Sequence, residues 1–550
     1  MILFFDTILL GDTMKKNIII LLILTLCYAL FSFARLGSFS NPNTFIENKE
    51  IIIKVEDGEI LSKIRYFTGH YFAKMQIFTS MDDENYELFT ENTDVMAFSW
   101  NDTLLDDSFN YLKIVLDPET SLGEIALYND RNEIIKVQNI QNAKNIIDEQ
   151  DTVPDEISYY NSSYFDEIYF ARTAYEYAHG LPAYEWVHPP FAKLISAIPI
   201  KIFKMAPFYY RFMSNLAAVL MIPVIYLFSL KMFKKTKFAV LTSLLLIFDN
   251  FHFAQGRIGT TDSILAFLIL TSYFFMYLYI NANDESIKRK LTYLFFSSLF
   301  IACAISTKWT GLFAGLGLAI IFFIHFFKTY FKSKKITKEG RKILIYCILF
   351  YSLTTIILYL SCYLLFPNLY FFKTRNISEI INITKNIYSY HSSLTDPHPF
   401  YSNWYSWLIM YRPVWYYSGS SGTLRSTISG IGNPVIWISG TISMFYLFYL
   451  CFKRKDKNAL FISIGYLCFL LPYMNISRGM FLYHYYPCYL FTMLASTYLI
   501  VKITEKKKMF YTFYIALVIF FSLYFYPAVS GELMDPHLID RLRWLDSWYF

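Results

Sequence analysis

Long apolar segments alternate with short polar ones along most of the 550-residue chain. An apolar run of about 20 residues is the length that a helix needs to cross a bilayer core ~30 Å thick. Such runs cover residues 18–34, 209–230, 238–254, 262–281, 291–307, 309–327, 343–366, 428–451, 458–474, 480–501 and 509–528. The pattern predicts a polytopic α-helical membrane protein with about eleven transmembrane helices.

The first apolar run follows a basic flank at Lys15 and Lys16. We expect the chain to start at Met14 rather than Met1, with residues 1–13 a start-site artefact or a short cytoplasmic lead. A cleaved signal peptide is the alternative, but the run is long and has no clear A-x-A cleavage motif. A retained first helix is therefore favoured.

From about Ser40 to Asp151 the pattern changes to short alternating segments typical of strands. Candidate strands are AKMQIFTS, ENYELFT, Tyr111–Leu116, Gly123–Asp130 and Glu133–Gln138, separated by turn-like sequences. This spacing predicts an inserted β-sandwich of about 110 residues. The segment loosely resembles galactose-binding, discoidin-like jelly rolls. It could bind a glycan or an acceptor protein, or it could act as a spacer.

Composition supports the membrane assignment. Hydrophobic residues make up 55% of the chain and charged residues only 17%, whereas a soluble protein of this length is expected to carry more charge. The seven cysteines lie within or beside apolar runs without metal-ligand spacing, so we interpret them as packing residues. The net charge of +6 comes from short loops and does not indicate a nucleic-acid partner.

The basic loops also indicate topology. Clusters of Lys and Arg occur at residues 231–237, 288–290, 328–342, 453–455 and 502–508. All fall on the side of Lys15 and Lys16, which the positive-inside rule assigns to the cytoplasm. We therefore expect a multi-pass plasma-membrane protein with a cytoplasmic N-terminus. Its helices contact the membrane lipids, and its β-sandwich and active site lie on the extracytoplasmic side.

Candidate chemistry is densest between Tyr164 and Lys193. The adjacent acids Asp166 and Glu167 are followed by the rigid corner that begins at His188. A placed carboxylate can take the proton of an incoming hydroxyl, so this segment suits general-base catalysis.

Other ionisable residues cluster at the outward ends of the predicted helices. They are Asp249, Arg257, Asp262, Lys308, Arg478 and His484. Each costs about 2.5–3.5 kcal/mol near hydrocarbon on insertion scales. Snorkelling to the interface is the alternative for any single one of them, and for Lys308 alone it is equally favoured, but their convergence on one face predicts a polar active site.

These segments resemble the protein O-mannosyltransferase family, which has the glycosyltransferase-C fold. The resemblance is carried by FDEIYFAR with HPPFAKLI, FDNFHFAQGRI, Ser306–Phe313, YHSSLTDPHPFYSNWYSWLIMYRPVWYY, Gly432–Gly440, Arg478–Pro487 and the closing LDSWYF. These segments recur in order from about residue 164 to the end of the chain. This ordered set is much more specific than an acid pair alone.

The resemblance implies transfer of mannose from polyprenyl-phosphate mannose to Ser or Thr hydroxyls of proteins, with inversion at the anomeric carbon. It implies that Asp166 is the general base, and that Glu167 shapes the site or orients the acceptor. A guanidinium offers a departing phosphate a planar, permanently charged fork. Our candidates for binding the donor phosphate or substrate are Arg257, Arg478, His484, Lys308, His188 and Asp262.

No cofactor is predicted. Asp166, Glu167 and His188 could together hold a divalent metal ion, but the motif does not require one and we expect none.

The chain departs from the family in two places. Eukaryotic members carry a β-trefoil insert in the outward loop after the seventh helix, whereas here that loop covers only residues 367–427. The β-sandwich before the acid pair is extra, and we hypothesise that it selects the acceptor. The absent insert indicates a bacterial member with an undecaprenyl carrier, for which sequons such as Asn161 and Asn382 would have no acceptor role.

The expected organisation follows from these patterns. It comprises a lead with the first helix (1–36), the β-sandwich (40–151), a catalytic outer loop (152–208), helices two to seven (209–366), an outer loop (367–427), helices eight to eleven (428–528) and an outward tail (529–550).

Two alternative functions stay open. A transferase of the same fold could glycosylate a lipid or a wall polymer, because it would share the donor chemistry. A transporter of a lipid-linked sugar is the other, although the internal repeats typical of transporters are not visible. The intact acid pair argues against an inactive, binding-only member.

Overall fold

The computed structural model describes residues 12–47, 49–55, 61–72, 74–93, 96–107, 109–135, 137, 139–141, 144–333, 335–365, 376–395, 397–505 and 509–550. The chain forms two compact units. A β-rich unit comprises Arg35–Tyr184 and Ser196–Phe212, and a helical unit comprises Met1–Ala34, Glu185–Ile195 and Met213–Phe550. Most of the predicted lead, residues 1–11, and residues 366–375 of the predicted outer loop lie outside the described residues.

Two antiparallel sheets form the body of the β-rich unit. The strands are β1 Ile46–Glu47, β2 Glu50–Lys54, β3 Leu61–Thr68, β4 Met75–Ser80, β5 Glu87–Asn92, β6 Trp100–Asp107, β7 Tyr111–Leu116, β8 Ser121–Asn129 and β9 Asn139–Gln141. One sheet has the order β1-β8-β3-β6 and the other β5-β4-β7-β2-β9.

The two sheets pack face to face, because apolar side chains from both enter one core. Ile64 and Ile125 of the first sheet and Ile51, Ile77 and Ile114 of the second are fully buried there. Strand β7 alternates between buried and half-buried positions, as expected when one face of a strand covers a core. The predicted β-sandwich is confirmed. In the predicted strand Glu133–Gln138, Ile134 forms an isolated bridge to Tyr128, and residues 136 and 138 lie outside the described part.

A second core joins this sandwich to the helix that follows the acid pair. Phe67, Phe98 and Trp100 of the sandwich pack with Ala171 and Ala174 of helix α2. The acid pair and the sheets therefore belong to one packed unit.

Helices make up most of the remaining chain. They are α1 Asp12–Phe33, α2 Glu167–His179, α3 Phe191–Ile202, α4 Pro207–Phe233, α5 Thr236–Ile247, α6 Asn250–Arg257, α7 Asp262–Ile280, α8 Ile287–Ile305, α9 Gly311–Tyr330, α10 Lys338–Leu364, α11 Ile377–Ser393, α12 Pro434–Arg454, α13 Lys457–Leu470, α14 Tyr486–Thr504, α15 Met509–Phe525, α16 Pro527–Ser530 and α17 Pro536–Asp540. Two short hairpins pair β10 Phe331–Lys332 with β11 Lys335–Ile336, and β12 Trp415–Ser421 with β13 Leu424–Ser429.

Eight helices in the described part of the chain are long and apolar enough to cross a membrane. The count is nine if α5 and α6, which are bent by 59° at their junction, form one broken span. Helices α8 and α15 occupy the two remaining predicted positions. The multi-pass helical architecture is therefore confirmed, whereas the number eleven stays a prediction.

Small and hydroxylated residues join neighbouring helices of this unit. The Ser272 hydroxyl of α7 donates to the Ser297 carbonyl of α8 over 2.7 Å, and Ser297 returns a bond of 2.9 Å. In lipid, helices associate through close packing and such interhelical hydrogen bonds, because apolar burial alone gives little drive.

Candidate active site

Asp166 lies immediately before α2 in the β-rich unit and is half-buried. The preceding residue, Phe165, has a φ of 50°, a left-handed conformation that is strained for a bulky aromatic side chain. Such strain persists only where the surroundings hold the backbone in place. The loop that presents Asp166 is therefore fixed by its contacts.

The neighbouring acid, Glu167, is fully buried. Its two carboxylate oxygens accept hydrogen bonds of 2.7 Å from Nε and Nη2 of Arg211, which is fully buried as well. The Tyr164 amide donates to the same carboxylate over 3.1 Å. A bidentate ion pair of this kind satisfies both buried charges. The structure thus gives the two adjacent acids different surroundings.

Arg211 also binds three backbone carbonyls in two separate segments of the chain. Its guanidinium donates to the carbonyls of Leu36, Tyr159 and Ser162 over 2.9, 2.8 and 3.0 Å. Sequence analysis missed this residue, although an arginine in the first turns of an apolar helix needs a buried partner. That requirement was the available signal.

Strand β6 and the residues before it hold the approach to the acid pair. The Trp100 amide donates to the Ser162 hydroxyl over 3.0 Å, and the Ser163 hydroxyl donates to the Ala97 carbonyl over 2.7 Å. Asn161 is buried and donates from its side chain to the Glu156 carbonyl over 2.7 Å. The predicted sequon at Asn161 is therefore part of the packed loop.

In the helical unit, the corner around His188 is built on a buried charge pair. Lys193 Nζ contacts the Glu185 carboxylate and also donates to the carbonyls of Glu185 and His188 over 2.6 and 3.0 Å. Nδ1 of His188 donates to the Glu185 carboxylate over 2.6 Å. Burial by itself raises the pKa of Glu185, but Lys193 and His188 lower this pKa to about 2. Burial lowers the pKa of His188 to about 3 despite Glu185.

His391 of α11 connects this corner to Arg478. Its Nε2 lies 2.8 Å from the Val187 carbonyl, so Nε2 carries the proton. Its Nδ1 then accepts a hydrogen bond of 3.0 Å from Nη1 of Arg478. Burial and the neighbouring Arg478 lower the pKa of His391 to about 4. The ring is therefore neutral at physiological pH and orients Arg478 through a fixed tautomer.

Lys308 and Asp262 form another buried pair of this unit. Lys308 Nζ lies 2.7 Å from the Asp262 carboxylate at the first residue of α7. His188, His391 and His484 all lie within electrostatic range of Lys308. The structure thus brings together five of the predicted residues: His188, Asp262, Lys308, Arg478 and His484.

Arg478 differs from the other cations of this group. Lys193 and Lys308 each face a carboxylate. Across the described ranges, by contrast, Arg478 forms no ion pair with an acid, and its guanidinium donates to the neutral His391. It borders a cavity of about 690 Å³ whose polar lining includes Arg412, Ser402 and Asn403. The cavity therefore has a positive wall and hydroxyl and amide groups, which suit a phosphorylated sugar.

Two other predicted residues make contacts elsewhere in the helical unit. Arg257 donates to the carbonyls of Ser32 and Ala34 over 2.7 Å each, at the end of α1. Asp249 accepts from the Asn433 amide over 3.0 Å and from the Tyr489 hydroxyl over 2.9 Å. Asp249 thereby connects two of the segments that carry the family resemblance, FDNFHFAQGRI and Gly432–Gly440, to helix α14.

One group of three potential metal ligands is found in the part of the chain that the structure describes: Glu124, Asp148 and Glu149. It lies in the β-rich unit, where the Glu124 carboxylate already accepts hydrogen bonds from Gln150 and from the Glu149 amide. The predicted absence of a metal at the active site stays a prediction.

Comparisons with known proteins cover most of the chain. Residues 155–373 match the family described as dolichyl-phosphate-mannose-protein mannosyltransferase, and residues 376–548 match the C-terminal four TMM region of protein-O-mannosyltransferase. A polyprenol-phosphate-mannose–protein mannosyltransferase of Corynebacterium glutamicum is 22% identical over 429 residues, which cover 66% of this chain and 81% of the relative. The Mycobacterium tuberculosis protein of that name is 21% identical over 452 residues, covering 70% and 86%.

A solved structure has the same fold. It is the Saccharomyces cerevisiae protein O-mannosyltransferase Pmt1-Pmt2 complex bound to the sugar donor, which aligns with a TM-score of 0.62 at 14% identity. The alignment covers 70% of this chain and 89% of the other. The predicted glycosyltransferase-C fold is confirmed.

Proposed function

We propose that this chain, which belongs to the protein O-mannosyltransferase family, transfers mannose from polyprenyl-phosphate mannose to Ser and Thr hydroxyls of proteins. The names of its bacterial relatives support this donor and this class of acceptor. The structural observation that carries the proposal is the environment of Arg478, whose guanidinium donates to the neutral His391 and borders a polar cavity.

The proposed reaction is a single inverting displacement. Asp166 takes the proton of the acceptor hydroxyl as the oxygen attacks the anomeric carbon of the mannose. The bond from that carbon to the phosphate oxygen breaks, and its electron pair leaves with the polyprenyl phosphate. A placed general base contributes about 10²–10⁴ in rate to such a step.

The leaving phosphate gains negative charge as the bond breaks, so fixed donors lower the barrier. We assign this role to Arg478, because its guanidinium has no competing carboxylate among the described residues. The charged wall around the donor is proposed to be shaped by Lys308, His188, His484 and Asp262. Arg257 stays a candidate for the donor phosphate, and its guanidinium also donates to two carbonyls at the end of α1.

Glu167 has a positioning role in this proposal. Its carboxylate is occupied by Arg211 and the Tyr164 amide. It therefore fixes the backbone next to Asp166 rather than exchanging a proton with the acceptor.

The finer cellular setting is also part of the proposal. The basic loops support a cytoplasmic N-terminus and an outward active site in the plasma membrane. An undecaprenyl carrier is the expected donor lipid, and the reaction is proposed to need no metal ion.

Acceptor selection by the β-sandwich is a second element of the proposal. Leu88 and Leu104 expose 53% and 70% of their surfaces on strands β5 and β6, and apolar side chains of this kind can contact an acceptor protein. Deleting residues 41–150 would also remove Phe67 and Trp100 from the core that supports α2. Replacing Leu88 and Leu104 by Ser tests selection without that disturbance. The expected result is a changed acceptor range with an unchanged rate on short peptides, and an unchanged range would contradict it.

The reaction itself is tested with radiolabelled undecaprenyl-phosphate mannose and membranes that contain the protein. Acceptors are a Ser/Thr-rich peptide and a matched peptide in which every Ser and Thr is Ala. We expect label on the first peptide only, and loss of labelling with Asp166→Asn at equal protein level. Label in a lipid or wall polymer, with none on either peptide, would favour the alternative transferase.

A further inference from the structure

A second cavity lies in the helical unit, at the other end of α13 from Arg478. It has a volume of about 620 Å³ and is lined by Lys457 and Asn458 at the start of that helix. The residues that follow α13, Ile476–Met480, line the cavity at Arg478 instead. A helix of this length spans roughly 20 Å. The second cavity is therefore separate from the candidate active site.

The rim of this cavity is strongly basic. Four lysines line it, Lys328, Lys332, Lys455 and Lys457, and all four are exposed. In the segments that the structure describes, none of them forms an ion pair with a carboxylate. Asp456 is the nearest acid in sequence, and its carboxylate caps α13 at the Ala459 amide and accepts from the Tyr498 hydroxyl.

The inner wall is apolar. It includes Ile321 and Phe461, which are buried, and Ile324, Leu460 and Ile464, which are more open. Asn281, Asn283 and Asn458 also line the cavity. A cavity lined by cationic, amide and aliphatic residues matches an amphiphile with an anionic head.

Helix dipoles explain only some of these lysines. Lys328 lies in the last turn of α9 and Lys455 directly follows α12, where a cation stabilises the helix end. Lys457 is the first residue of α13, where a cation opposes the dipole. An anion bound near this helix start would offset that cost, because helix amides and the lysine would then attract the same group.

We propose that this cavity binds a lipid phosphate. The phosphate lies among Lys328, Lys332 and Lys457, and the adjoining hydrocarbon lies along Ile324, Leu460 and Ile464. The chemistry is shared by anionic phospholipids and by polyprenyl phosphates, and this site acts apart from the transfer reaction.

The test is native mass spectrometry of the full-length protein in detergent, titrated with phosphatidylglycerol. Replacing Lys328, Lys332 and Lys457 together by Gln should weaken lipid binding by at least roughly tenfold, because lysines near an anionic headgroup attract it. The matched control replaces Lys288, Lys453 and Arg454 by Gln. These side chains are basic but do not line the cavity, and binding should be unchanged.

A steric variant separates this cavity from general surface charge. Ile324→Trp adds bulk to the apolar wall and retains every lysine, and Ile324 is exposed enough to accept the larger ring. Loss of bound lipid in this variant would support the proposal. Equal binding by the wild type, the triple variant and Ile324→Trp would overturn it, as would equal losses in the triple variant and its control.

Three ligands identify the source of the phosphate. Binding of phosphatidylglycerol or of undecaprenyl phosphate that is lost in the triple lysine variant would support the site and would identify its lipid. Glycerol phosphate shares the headgroup without the hydrocarbon and should bind at least tenfold more weakly. If it bound as tightly as the lipids, the assignment to a lipid would be wrong.

Discussion

The acid-pair loop of the β-rich unit and the charged cluster of the helical unit are held in different ways. Around Asp166, backbone groups and one buried ion pair fix the chain, and a single carboxylate stays half-exposed. In the helical unit, side chains from distant segments orient one another, and positive charge is left over at Arg478. The first arrangement presents one group rigidly, whereas the second provides a positive electrostatic field.

This difference separates stability from chemistry. Substitutions under the acid-pair loop should mainly unfold it, whereas substitutions in the charged cluster should mainly slow transfer.

The largest effect is expected from Arg211→Met. The change leaves the Glu167 carboxylate buried without its cation and frees three carbonyls, so it should cost about 3–5 kcal/mol of folding free energy. The measurement is thermal unfolding in detergent, followed by protease sensitivity of the β-rich unit. The exposed Asp151 provides a control, since Asp151→Asn should leave both unchanged. Wild-type stability in Arg211→Met would show that the ion pair does not hold the loop.

Arg478→Gln should have the second-largest effect, and it should lower the rate of mannosyl transfer rather than the folding free energy. Removing one donor to a developing charge costs about 10²–10³ in rate, with little change in the melting temperature. Arg478→Lys should recover only part of the rate, because an ammonium lacks the planar fork. Arg412→Gln, on the same cavity, is the matched control and should lose less. Equal losses in the Arg412 and Arg478 variants would remove the special role of Arg478.

The helices and strands could largely be predicted, because burial imposes simple periods on the sequence. The apolar runs predicted α1, α4, α7 to α10 and α12 to α15, and alternation predicted β7, whereas α11 lies in the predicted outer loop. The pairing of charged side chains was harder to predict from the sequence. Which acid faces which base depends on contacts between segments far apart in the chain.

The candidate site illustrates that limit. Asp166, Lys308 and Arg478 were identified from their unusual positions and from the resemblance. The roles of Arg211 and His391 were not, although His391 lies inside a segment that carried the resemblance. Their function follows from hydrogen bonds that no local pattern contains.

In the helical unit, His391 should make the folding stability depend on pH. His391 takes up a proton at about pH 4 in the folded protein but near 6.5 when unfolded. The unfolded state therefore binds more protons within this window, and stability falls as the pH decreases from about 6.5 to 4. His391→Gln can make the same two hydrogen bonds without titrating. The melting temperature of this variant should fall less over that window.

The size of this difference is bounded by one proton. It should stay below about 1.4 kcal/mol per pH unit, because a single ring takes up at most one proton. Parallel pH profiles for the variant and the wild type would contradict the neutral, tautomer-fixed assignment.

The smallest effect is expected from Ser163→Ala on the acid-pair side. It removes the hydroxyl that contacts the Ala97 carbonyl and the Ser99 hydroxyl, at a cost of about 1–3 kcal/mol if those groups stay unsatisfied. Thermal unfolding should show a modest decrease, and transfer per folded molecule should remain near the wild-type value. Ser158→Ala, earlier in the same loop, offers a comparison, and a larger loss there would point to a different anchor.

The most direct measurement compares Asp166→Asn with Glu167→Gln, as mannosyl transfer per folded molecule, with the folded fraction determined by thermal unfolding in the same samples. Asp166→Asn should remain folded and lose about 10²–10⁴ in rate. Glu167→Gln should unfold more readily, while its folded fraction retains most of the activity. Normal transfer by Asp166→Asn, or a fully folded but inactive Glu167→Gln, would contradict the division of roles between the two acids.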